Sequence, residues 1–496
     1  MRCLALAQAW QDTGGNVAFA MAESTPAIDR RLRSEGIEIV QLEVSPNSIE
    51  DARDVSALAR RCHATWIVVD GYRLDSEYQR NLKNAGRKVF LVDDLGQCEH
   101  YFADLVLNQN VHASEAMYRS REAYTRLLLG PRFAMLRRDF KPWSKWQREI
   151  TPNGRRVLVT LGGSDPDNVT ATVLEALRAV NISGLEVVAV LGGSNPHIDF
   201  LTRLASQSPA IRFFRDAANM PELMAWADIA VSAAGSTCAE MCLLGLPAIL
   251  IDLAENQRPV AQELSRKQAA IHLGSSKEVT AAEIGEKVQA LLLAAEHRVS
   301  LSQRSRELVD GEGVERVRAA IRGEDLRLRR MQENDCRQLW QWANDPEVRP
   351  VSFATEPIPW ERHLQWFNSK LRDPNAVLDL VVDSEGIPAG QVRYQIDGTR
   401  AAVSISLAPQ FRGKGYGEVV LAMATEDVFR TTATTQIDAY VKPNNTASIR
   451  LFTRAGYARE RIELIGNQPA IHFVLGKAMN CDWQQAPNLS SVASGR

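Results

Sequence analysis

The sequence lacks the cysteine patterns that indicate a disulfide framework or a zinc site. Its seven cysteines are scattered through 496 residues, are odd in number and form no CxxC pair. Such spacing favours reduced thiols in a reducing compartment. No cluster of His, Asp and Glu has ligand spacing either, so the sequence predicts no metal.

Long apolar runs and an excess of charge are also missing. No run approaches the roughly 18 apolar residues that span a bilayer, and residues 1–4 lack the basic start of a secretory leader. The 58 Lys and Arg are balanced by 60 Asp and Glu, so nothing favours nucleic acid or an anionic membrane surface. We expect a cytoplasmic protein with neither partner. Its oligomeric state stays open.

Strand and helix patterns divide the chain into three parts and a tail. Apolar strand-like runs alternate with helical patterns in residues 1–145 and again in residues 153–321, which predicts two parallel α/β units with a cleft between them. Residues 325–478 mix strand-like alternation with helical stretches and predict an α+β domain. Residues 479–496 are small and polar, and we expect them to be disordered.

A glycine-rich turn between a predicted strand and a predicted helix carries the clearest chemistry. Residues 404–407 read as the strand and residues 418–429 as the helix. Glycines allow close approach of the backbone, and free N–H groups at a helix start point at an anion. We therefore expect a pyrophosphate loop formed by Arg412, Gly413, Lys414, Gly415, Tyr416 and Gly417.

This loop resembles the [Q/R]-x-x-G-x-[G/A] signature of GNAT N-acetyltransferases, and residues 445–457 resemble the family's second signature. The resemblance implies acetyl-CoA as cofactor, with Asn445 contacting its arm. Many members have, in place of Phe452, a tyrosine that protonates the leaving thiolate, and Phe cannot donate a proton. Tyr457, Tyr440 or water is then the donor.

The acceptor amine must also lose a proton before it attacks. Glu356, Glu361 and His363 are candidate bases, although each residue type at these positions is more often a surface or packing residue. They lie in residues 342–367, which resemble the substrate-side portion of acetyltransferases that act on amino-sugar nucleotides.

A second anion-binding pattern lies in residues 233–240, between a predicted strand and a helix. Gly235, Ser236 and Thr237 offer donors to a diphosphate, and Glu240 lies one turn inside, where it can accept from ribose hydroxyls. An ordinary helix cap formed by Ser236 describes the same residues equally well. The residues alone do not separate these two interpretations.

Further segments lie at 161–165, 246–250 and 255–257, and in the front part of the chain at 69–78, 92–95, 104–110 and 129–137. Together they resemble GT-B-type proteins that bind UDP-sugars, and in particular the UDP-sugar hydrolase family of pseudaminic acid biosynthesis. The resemblance implies two Rossmann-like halves and a UDP-amino-sugar substrate. It places Tyr72 and Asn256 at the reaction centre, where they would position or polarise rather than transfer protons. The implied substrate-binding residues, besides those of the loop at 235–240, are Gly162, Gly163, Ser164, Asp165 and Gln257.

In that hydrolase family a first strand and a G-x-G-H loop precede the segment with which this sequence opens. The histidine of that loop activates water, and no histidine of this chain matches its position. We therefore expect the natural protein to be longer. The alternative is an inactive hydrolase half, and sequencing the N-terminus of the native protein distinguishes the two.

Three functions remain open from the sequence. The first is a bifunctional enzyme that acetylates a UDP-4-amino-4,6-dideoxy sugar and then releases UDP by hydrolysis. The second is an acetyltransferase whose front half only binds a UDP-sugar. The third is a GT-B glycosyltransferase fused to an acetyltransferase.

Overall fold

A computed structural model describes residues 1–72, 74–122, 124–206, 210–215, 217, 219–323, 325–383, 386–413 and 415–477. The chain forms two compact units, Met1–Gly323 (unit 1) and Glu324–Arg496 (unit 2). Lys414 of the glycine-rich loop and the tail at 479–496 lie outside the described residues.

The first half of unit 1 contains two parallel sheets. Strands β1 and β2 pair with each other, and the second sheet has the order β3-β4-β5-β6. The elements are α1 (Arg2–Gln11), β1 (Ala18–Met21), α2 (Pro26–Ser34), β2 (Glu38–Gln41), α3 (Ile49–Arg61), β3 (Trp66–Asp70), α4 (Ser76–Asn84), β4 (Lys88–Val92), β5 (Leu105–Asn108) and β6 (Arg126–Leu129).

The second half of unit 1 is a six-stranded parallel sheet with the order β9-β8-β7-β10-β11-β12. Its elements are β7 (Arg156–Thr160), α5 (Val169–Ala179), β8 (Glu186–Leu191), α6 (Ile198–Ser206), β9 (Ile211–Arg215), α7 (Met220–Trp226), β10 (Ile229–Ala233), α8 (Thr237–Leu243), β11 (Ala248–Asp252), α9 (Arg258–Arg266), β12 (Ile271–Ser275), α10 (Ala281–Leu293), α11 (Ala295–Arg306) and α12 (Gly313–Arg322).

This strand order reverses direction between β7 and β10. Counted along the half, the order is 3-2-1-4-5-6, the arrangement of doubly wound dinucleotide-binding folds. All five residues of β10 and of β11 are buried, as expected for parallel strands covered by helices on both faces. Ligands of such sheets bind at the carboxyl ends of the strands that flank the reversal, here β7 and β10.

The last helix of unit 1 returns to the first half. Val317, Ala320 and Ile321 of α12 belong to the same buried cluster as Phe90 of β4 and Leu107 of β5. The first residue of the helix is Gly313. A side chain does not fit at this position, because a Cβ there would collide with the backbone of residues 133 and 134. The chain therefore crosses between the two halves twice, once in the segment before β7 and once before α12.

Unit 2 is a seven-stranded mixed sheet with the order β13-β14-β15-β16-β17-β19-β18. Its elements are β13 (Leu326–Arg330), α13 (Cys336–Ala343), α14 (Trp360–Leu371), β14 (Ala376–Asp383), β15 (Pro388–Asp397), β16 (Arg400–Leu407), α15 (Tyr416–Thr431), β17 (Gln436–Val441), α16 (Thr446–Arg454), β18 (Ala458–Ile465) and β19 (Gln468–Gly476). The expected fold class, parallel Rossmann-like sheets followed by an α+β domain with a mixed sheet, is confirmed.

Candidate functional sites

The loop after β10 leaves room for a ligand. Gly235 has no positive φ, and a Cβ at this position would meet nothing within 4 Å, so neither backbone strain nor packing requires a glycine here. The Ser236 hydroxyl makes no capping hydrogen bond to α8 in the described structure. A helix cap therefore does not account for Ser236. Its hydroxyl lies at the strand-order reversal, together with the N–H groups of Ser236 and Thr237.

The loop after β7 lies at the same edge of the sheet. Gly162 adopts a φ of +85°, a conformation that favours glycine. The Asp165 carboxylate is only 2% exposed and accepts hydrogen bonds from Val169 N at 2.9 Å and from Thr170 N at 2.9 Å. Asp165 thus fixes the start of α5 in this structure, while Gly162, Gly163 and Ser164 before it are exposed.

Glu240 joins the two halves of unit 1. Its carboxylate lies 3.3 Å from Arg137, which precedes the second half, and Arg137 also lies 3.3 Å from Asp139. Burial raises the pKa of Glu240, and the charge of Arg137 acts in the opposite direction. The carboxylate expected to accept from ribose is therefore already placed in a shielded position beside the loop that carries Gly235.

The other predicted residues of this half follow β11. Asn256 is exposed within a single 3₁₀ turn. The side-chain oxygen of Gln257 accepts a hydrogen bond from Leu253 N at 3.1 Å, so Gln257 shapes the loop that presents Asn256. Asp252 at the end of β11 is buried and lies 3.0 Å from His272, a pair that sequence reasoning did not identify.

A charged cluster occupies the carboxyl edge of the sheet β3-β4-β5-β6. Asp94 follows β4 and accepts hydrogen bonds from Arg2 Nη1 at 2.7 Å, Asn110 Nδ2 at 2.7 Å and Tyr72 Oη at 3.3 Å. Asp70, the last residue of β3, accepts from Arg2 Nη2 at 2.8 Å. Tyr72 is 66% exposed, so its ring stands above this cluster and not in the core.

His112 lies four residues after the end of β5, which is at the same edge of the sheet. The sequence did not indicate it as a site residue. Its Nδ1 is buried and has no hydrogen-bond partner among the described residues. Burial lowers the pKa of His112, and the charges of Asp94 in the first half and Glu263 in the second half partly offset this effect. Carboxylates of both halves therefore act on His112.

In unit 2 two parallel strands separate and leave a gap. Strand β16 pairs with β17 at Arg400–Gln436, Ala401–Ile437 and Ala402–Asp438. Beyond these pairs β16 continues to Leu407 and β17 to Val441, so the strands diverge. Backbone N–H and C=O groups along the gap need partners, and an extended ligand with amide groups can supply them.

The glycine-rich loop lies at the end of this gap, immediately after β16. Gly413 and Gly415 have φ values of +70° and +78°, and Gly415 directly precedes α15. A Cβ on Gly417 would lie 3.3 Å from Leu451, so this glycine allows α15 and α16 to pack closely. The start of α15 thus follows the end of β16, beside the gap.

Arg412 is directed towards the segment between α13 and α14. Its Nη1 lies 3.0 Å from Asp345 and 3.0 Å from Glu347, and its Nε donates to Leu407 O at 2.9 Å. The hydrogen bond from Arg412 lowers the pKa of Asp345. The same segment is held by Lys442, which donates to Ser352 O at 2.9 Å, so it is fastened to both strands that border the gap.

The second predicted signature gives mixed placements. Asn445 caps α16, because its side chain accepts from Ser448 N at 3.0 Å. Phe452 is buried and packs against Tyr457 and Phe473.

The candidate bases lie in different surroundings. His363 is 4% exposed and burial lowers its pKa, whereas Glu356 and Glu361 are exposed.

One cluster near the gap was missed from the sequence. His472 of β19 is completely buried and lies 2.9 Å from Asp438, and its ring stacks on Tyr440 with centroids 4.8 Å apart. These residues are far apart in sequence, and β17 and β19 bring them together as Tyr440–His472 partners. Sequence spacing gave no signal for this contact.

Metal and membrane features can be assessed over the described ranges. Within them, no three or more His, Cys, Asp or Glu side chains are grouped so that they could hold a metal ion. In the same part of the chain no helix combines the length and the apolar character needed to cross a bilayer.

Two families match separate parts of the chain. Residues 156–316 match the glycosyltransferase family 28 C-terminal domain, and residues 325–458 match the acetyltransferase (GNAT) domain. The first match covers the doubly wound half of unit 1, and the second covers most of unit 2, including the gap and the glycine-rich loop.

Individual relatives are distant. An uncharacterized protein of Methanocaldococcus jannaschii is 23% identical over 480 residues, which are 93% of each chain. The UDP-2,4-diacetamido-2,4,6-trideoxy-beta-L-altropyranose hydrolase of Campylobacter jejuni is 24% identical over 203 residues, covering 40% of this chain and 71% of that protein. The structure of spermidine N-acetyltransferase from Vibrio cholerae with CoA and spermine shares 20% identity, covers 31% of this chain and 96% of that one, and has a TM-score of 0.29. The chain therefore carries a GT-B-like glycosyltransferase-28 C-terminal region fused to a GNAT acetyltransferase domain.

Proposed function

We propose that the protein is a bifunctional nucleotide-sugar enzyme of pseudaminic-type nonulosonic acid biosynthesis. Unit 2 acetylates the 4-amino group of a UDP-4-amino-4,6-dideoxy sugar with acetyl-CoA. Unit 1 then hydrolyses the UDP-2,4-diacetamido-2,4,6-trideoxy sugar and releases UDP. The acetylated product of the first reaction is the substrate of the second, so the two activities form consecutive steps.

The observation that carries the acetyltransferase is the gap between β16 and β17 with the glycine-rich loop at its mouth. A glycine turn at a helix start suits a pyrophosphate, and the strand edges beyond the Ala402–Asp438 pair suit the two amide groups of the pantetheine arm. The amine attacks the thioester carbonyl, a C–N bond forms, the C–S bond breaks, and the proton lost by the amine ends on the thiol.

The hydrolase assignment rests on the two carboxyl edges in unit 1. The loops after β7 and β10 would hold the diphosphate, with Glu240 beside the ribose. Tyr72 and Asn256 would face the sugar, and the cluster around Asp94 stands at the opposing edge. The name of the Campylobacter jejuni relative supports UDP-sugar hydrolysis as the reaction class.

Two alternatives are kept because the polar groups of unit 1 can bind a UDP-sugar without cleaving it. In the first, the protein is an acetyltransferase and unit 1 is a binding module. In the second, unit 1 is a GT-B glycosyltransferase that transfers the sugar to an acceptor other than water.

The test uses the full-length protein with a UDP-4-amino-4,6-dideoxy sugar, with and without acetyl-CoA. We expect thiol release first and UDP release afterwards. A thiol reagent measures the first product, and chromatography of nucleotides measures the second. Thiol release without UDP release from the purified acetylated sugar would contradict the hydrolase and support the binding module. UDP release that requires an added sugar or lipid acceptor would support the glycosyltransferase, and absence of both products would contradict the proposal.

A further inference from the structure

Acetyl transfer from a thioester to an amine needs a proton donor for the departing thiolate. General acids at this position contribute about 10²- to 10⁴-fold to such rates. Phe452 cannot donate a proton, so either another side chain or water must do so. The inference below rests on the proposed acetyltransferase activity of unit 2.

Tyr457 lies in the core of unit 2, and its hydroxyl is already engaged. Its side chain is 4% exposed, and its hydroxyl lies 3.2 Å from the Thr425 hydroxyl of α15. Tyr394 reaches the same Thr425 hydroxyl from β15 at 3.3 Å. The Tyr457 hydroxyl thus belongs to a buried hydrogen-bonded chain beneath the helices α15 and α16.

Tyr440 occupies the opposite face and borders the gap. It lies two residues beyond Asp438, the last residue of β17 that pairs with β16. Side chains alternate along a strand, so Tyr440 shares a face with Asp438, whereas the intervening Ala439 belongs to the core under the helices. No hydrogen bond to the Tyr440 hydroxyl occurs among the described residues.

The ring of Tyr440 is held by a buried scaffold. It stacks on His472 with an angle of 14° between the planes, and His472 Nε2 lies 2.9 Å from Asp438 Oδ1. Arg400 binds the same carboxylate with two hydrogen bonds, of 2.9 Å and 2.6 Å. Because His472 is completely buried, it cannot contact the substrate and acts on the ring alone.

We propose that Tyr440 is the general acid of the acetyltransferase and that His472 and Asp438 are its positioning residues. As the C–S bond breaks, the Tyr440 hydroxyl gives its proton to the thiolate sulfur. The new amide nitrogen then loses its extra proton, which passes to the tyrosinate directly or through solvent. The sum is one acetyl group moved and one proton passed from amine to thiol.

Charged side chains from three strands lie around Tyr440. They come from Asp438 on the same strand, Arg400 of β16, and Glu463 and Arg461 of β18. Burial, followed by the carboxylates of Asp438 and Glu463, raises the pKa of Tyr440, and the two arginines oppose this effect. His472 of β19 is the remaining titratable group in contact with the ring. A raised pKa suits an acid that must stay protonated while the acceptor amine is deprotonated.

The experiment compares Tyr440→Phe, Tyr457→Phe and the matched control Tyr394→Phe in the full-length protein. Thiol release from acetyl-CoA is measured with the UDP-4-amino-4,6-dideoxy sugar as acceptor. We expect Tyr440→Phe to lower kcat at least about a hundredfold with an unchanged KM for acetyl-CoA, and Tyr394→Phe to keep kcat. A loss confined to Tyr457→Phe would overturn the proposal.

A second measurement separates proton donation from a structural role. Incorporation of 3,5-difluorotyrosine at position 440 keeps the ring and lowers the pKa of the phenol. The alkaline limb of the kcat profile should move to lower pH, and a limb that stays in place would overturn the assignment. His472→Phe, which keeps an aromatic ring but loses the bond to Asp438, should lower kcat more than it changes KM. Equal kcat would contradict the positioning role.

Failure of the proposed function gives a different result. If the wild-type protein transfers no acetyl group to the amino sugar, the substrate proposal is wrong, and slow hydrolysis of acetyl-CoA by water is then measured instead. Water also expels the thiolate, so Tyr440→Phe should slow this reaction too. Equal hydrolysis by wild type and Tyr440→Phe would overturn the role of Tyr440 by itself.

Discussion

Replacing Gly192 by alanine should displace the glycine turn that follows β7. A Cβ on Gly192 would lie 2.5 Å from the Cα of Gly163 and 2.7 Å from its carbonyl carbon. Carbon atoms in contact are about 3.5–4.0 Å apart, so one of the two backbones must move by roughly 1 Å. Overpacking of this kind costs about 1–3 kcal/mol.

The consequence for ligand binding follows from the position of the turn. Gly163 and Ser164 are exposed in the loop proposed to hold the diphosphate, so a shift of about 1 Å should weaken UDP binding. A loss of about 1.4 kcal/mol corresponds to a tenfold weaker Kd, and we expect a tenfold to hundredfold effect. Calorimetric titration with UDP measures it, and thermal denaturation measures the stability.

Gly163→Ala is the matched control because a Cβ there would meet nothing within 4 Å. This variant should keep the melting temperature of the wild type while its methyl group obstructs UDP. An unchanged melting temperature and UDP affinity in Gly192→Ala would refute the packing argument. A lowered melting temperature with normal UDP affinity would refute the assignment of the loop to the nucleotide.

Three further changes test other parts of the chain. Gly415→Asp adds a charge and a side chain at a φ of +78° before α15 and should abolish acetyl-CoA binding in titration; unchanged affinity would contradict the loop assignment. Tyr72→Phe removes the hydrogen bond to Asp94 and should slow UDP release while thiol release stays normal. In Asp438, burial would raise the pKa, but hydrogen bonds from Arg400, His472 and Gln436 outweigh it and lower the pKa; this contribution to stability is present above the unfolded pKa of about 4 and is lost as pH falls through the folded value. Between about pH 5 and pH 3, roughly the range over which Asp titrates, the free energy of unfolding of Asp438→Asn should therefore fall less than that of the wild type. Denaturant unfolding measures both, and an equal fall in the two proteins would contradict the role of this ion pair.

The sequence was informative where local pattern determines structure. The parallel strands of unit 1 are short apolar runs between helices, as in β3 and β10, and such runs are visible in the sequence itself. The position of a glycine turn after a parallel strand can also be predicted, because parallel strands end at a common edge of the sheet. The fold class followed from these signals.

Contacts between distant segments could not be predicted in this way. The stacking of His472 on Tyr440 depends on the register of β17 and β19, which is set by the whole sheet. The pairing of Arg137 with Glu240 depends on how the two halves of unit 1 meet. The sequence left Tyr457, Tyr440 and water open as the proton donor, and the alternation of faces along β17 gives the physical ground on which we prefer Tyr440.

The return of α12 to the first half of unit 1 determines where the protein can be cut. The helix covers apolar side chains of β4 and β5, so a fragment that stops before Gly313 would expose Phe90 and Leu107 to water. Such a fragment is expected to aggregate, although it would keep every strand of unit 1. A cut for separate expression of unit 2 therefore belongs after Gly323, where α12 ends in a left-handed glycine with a φ of +72°. The helix α12, which precedes unit 2, thus covers the core of the first half of unit 1. Shortening it as if it were a linker would expose that core to water.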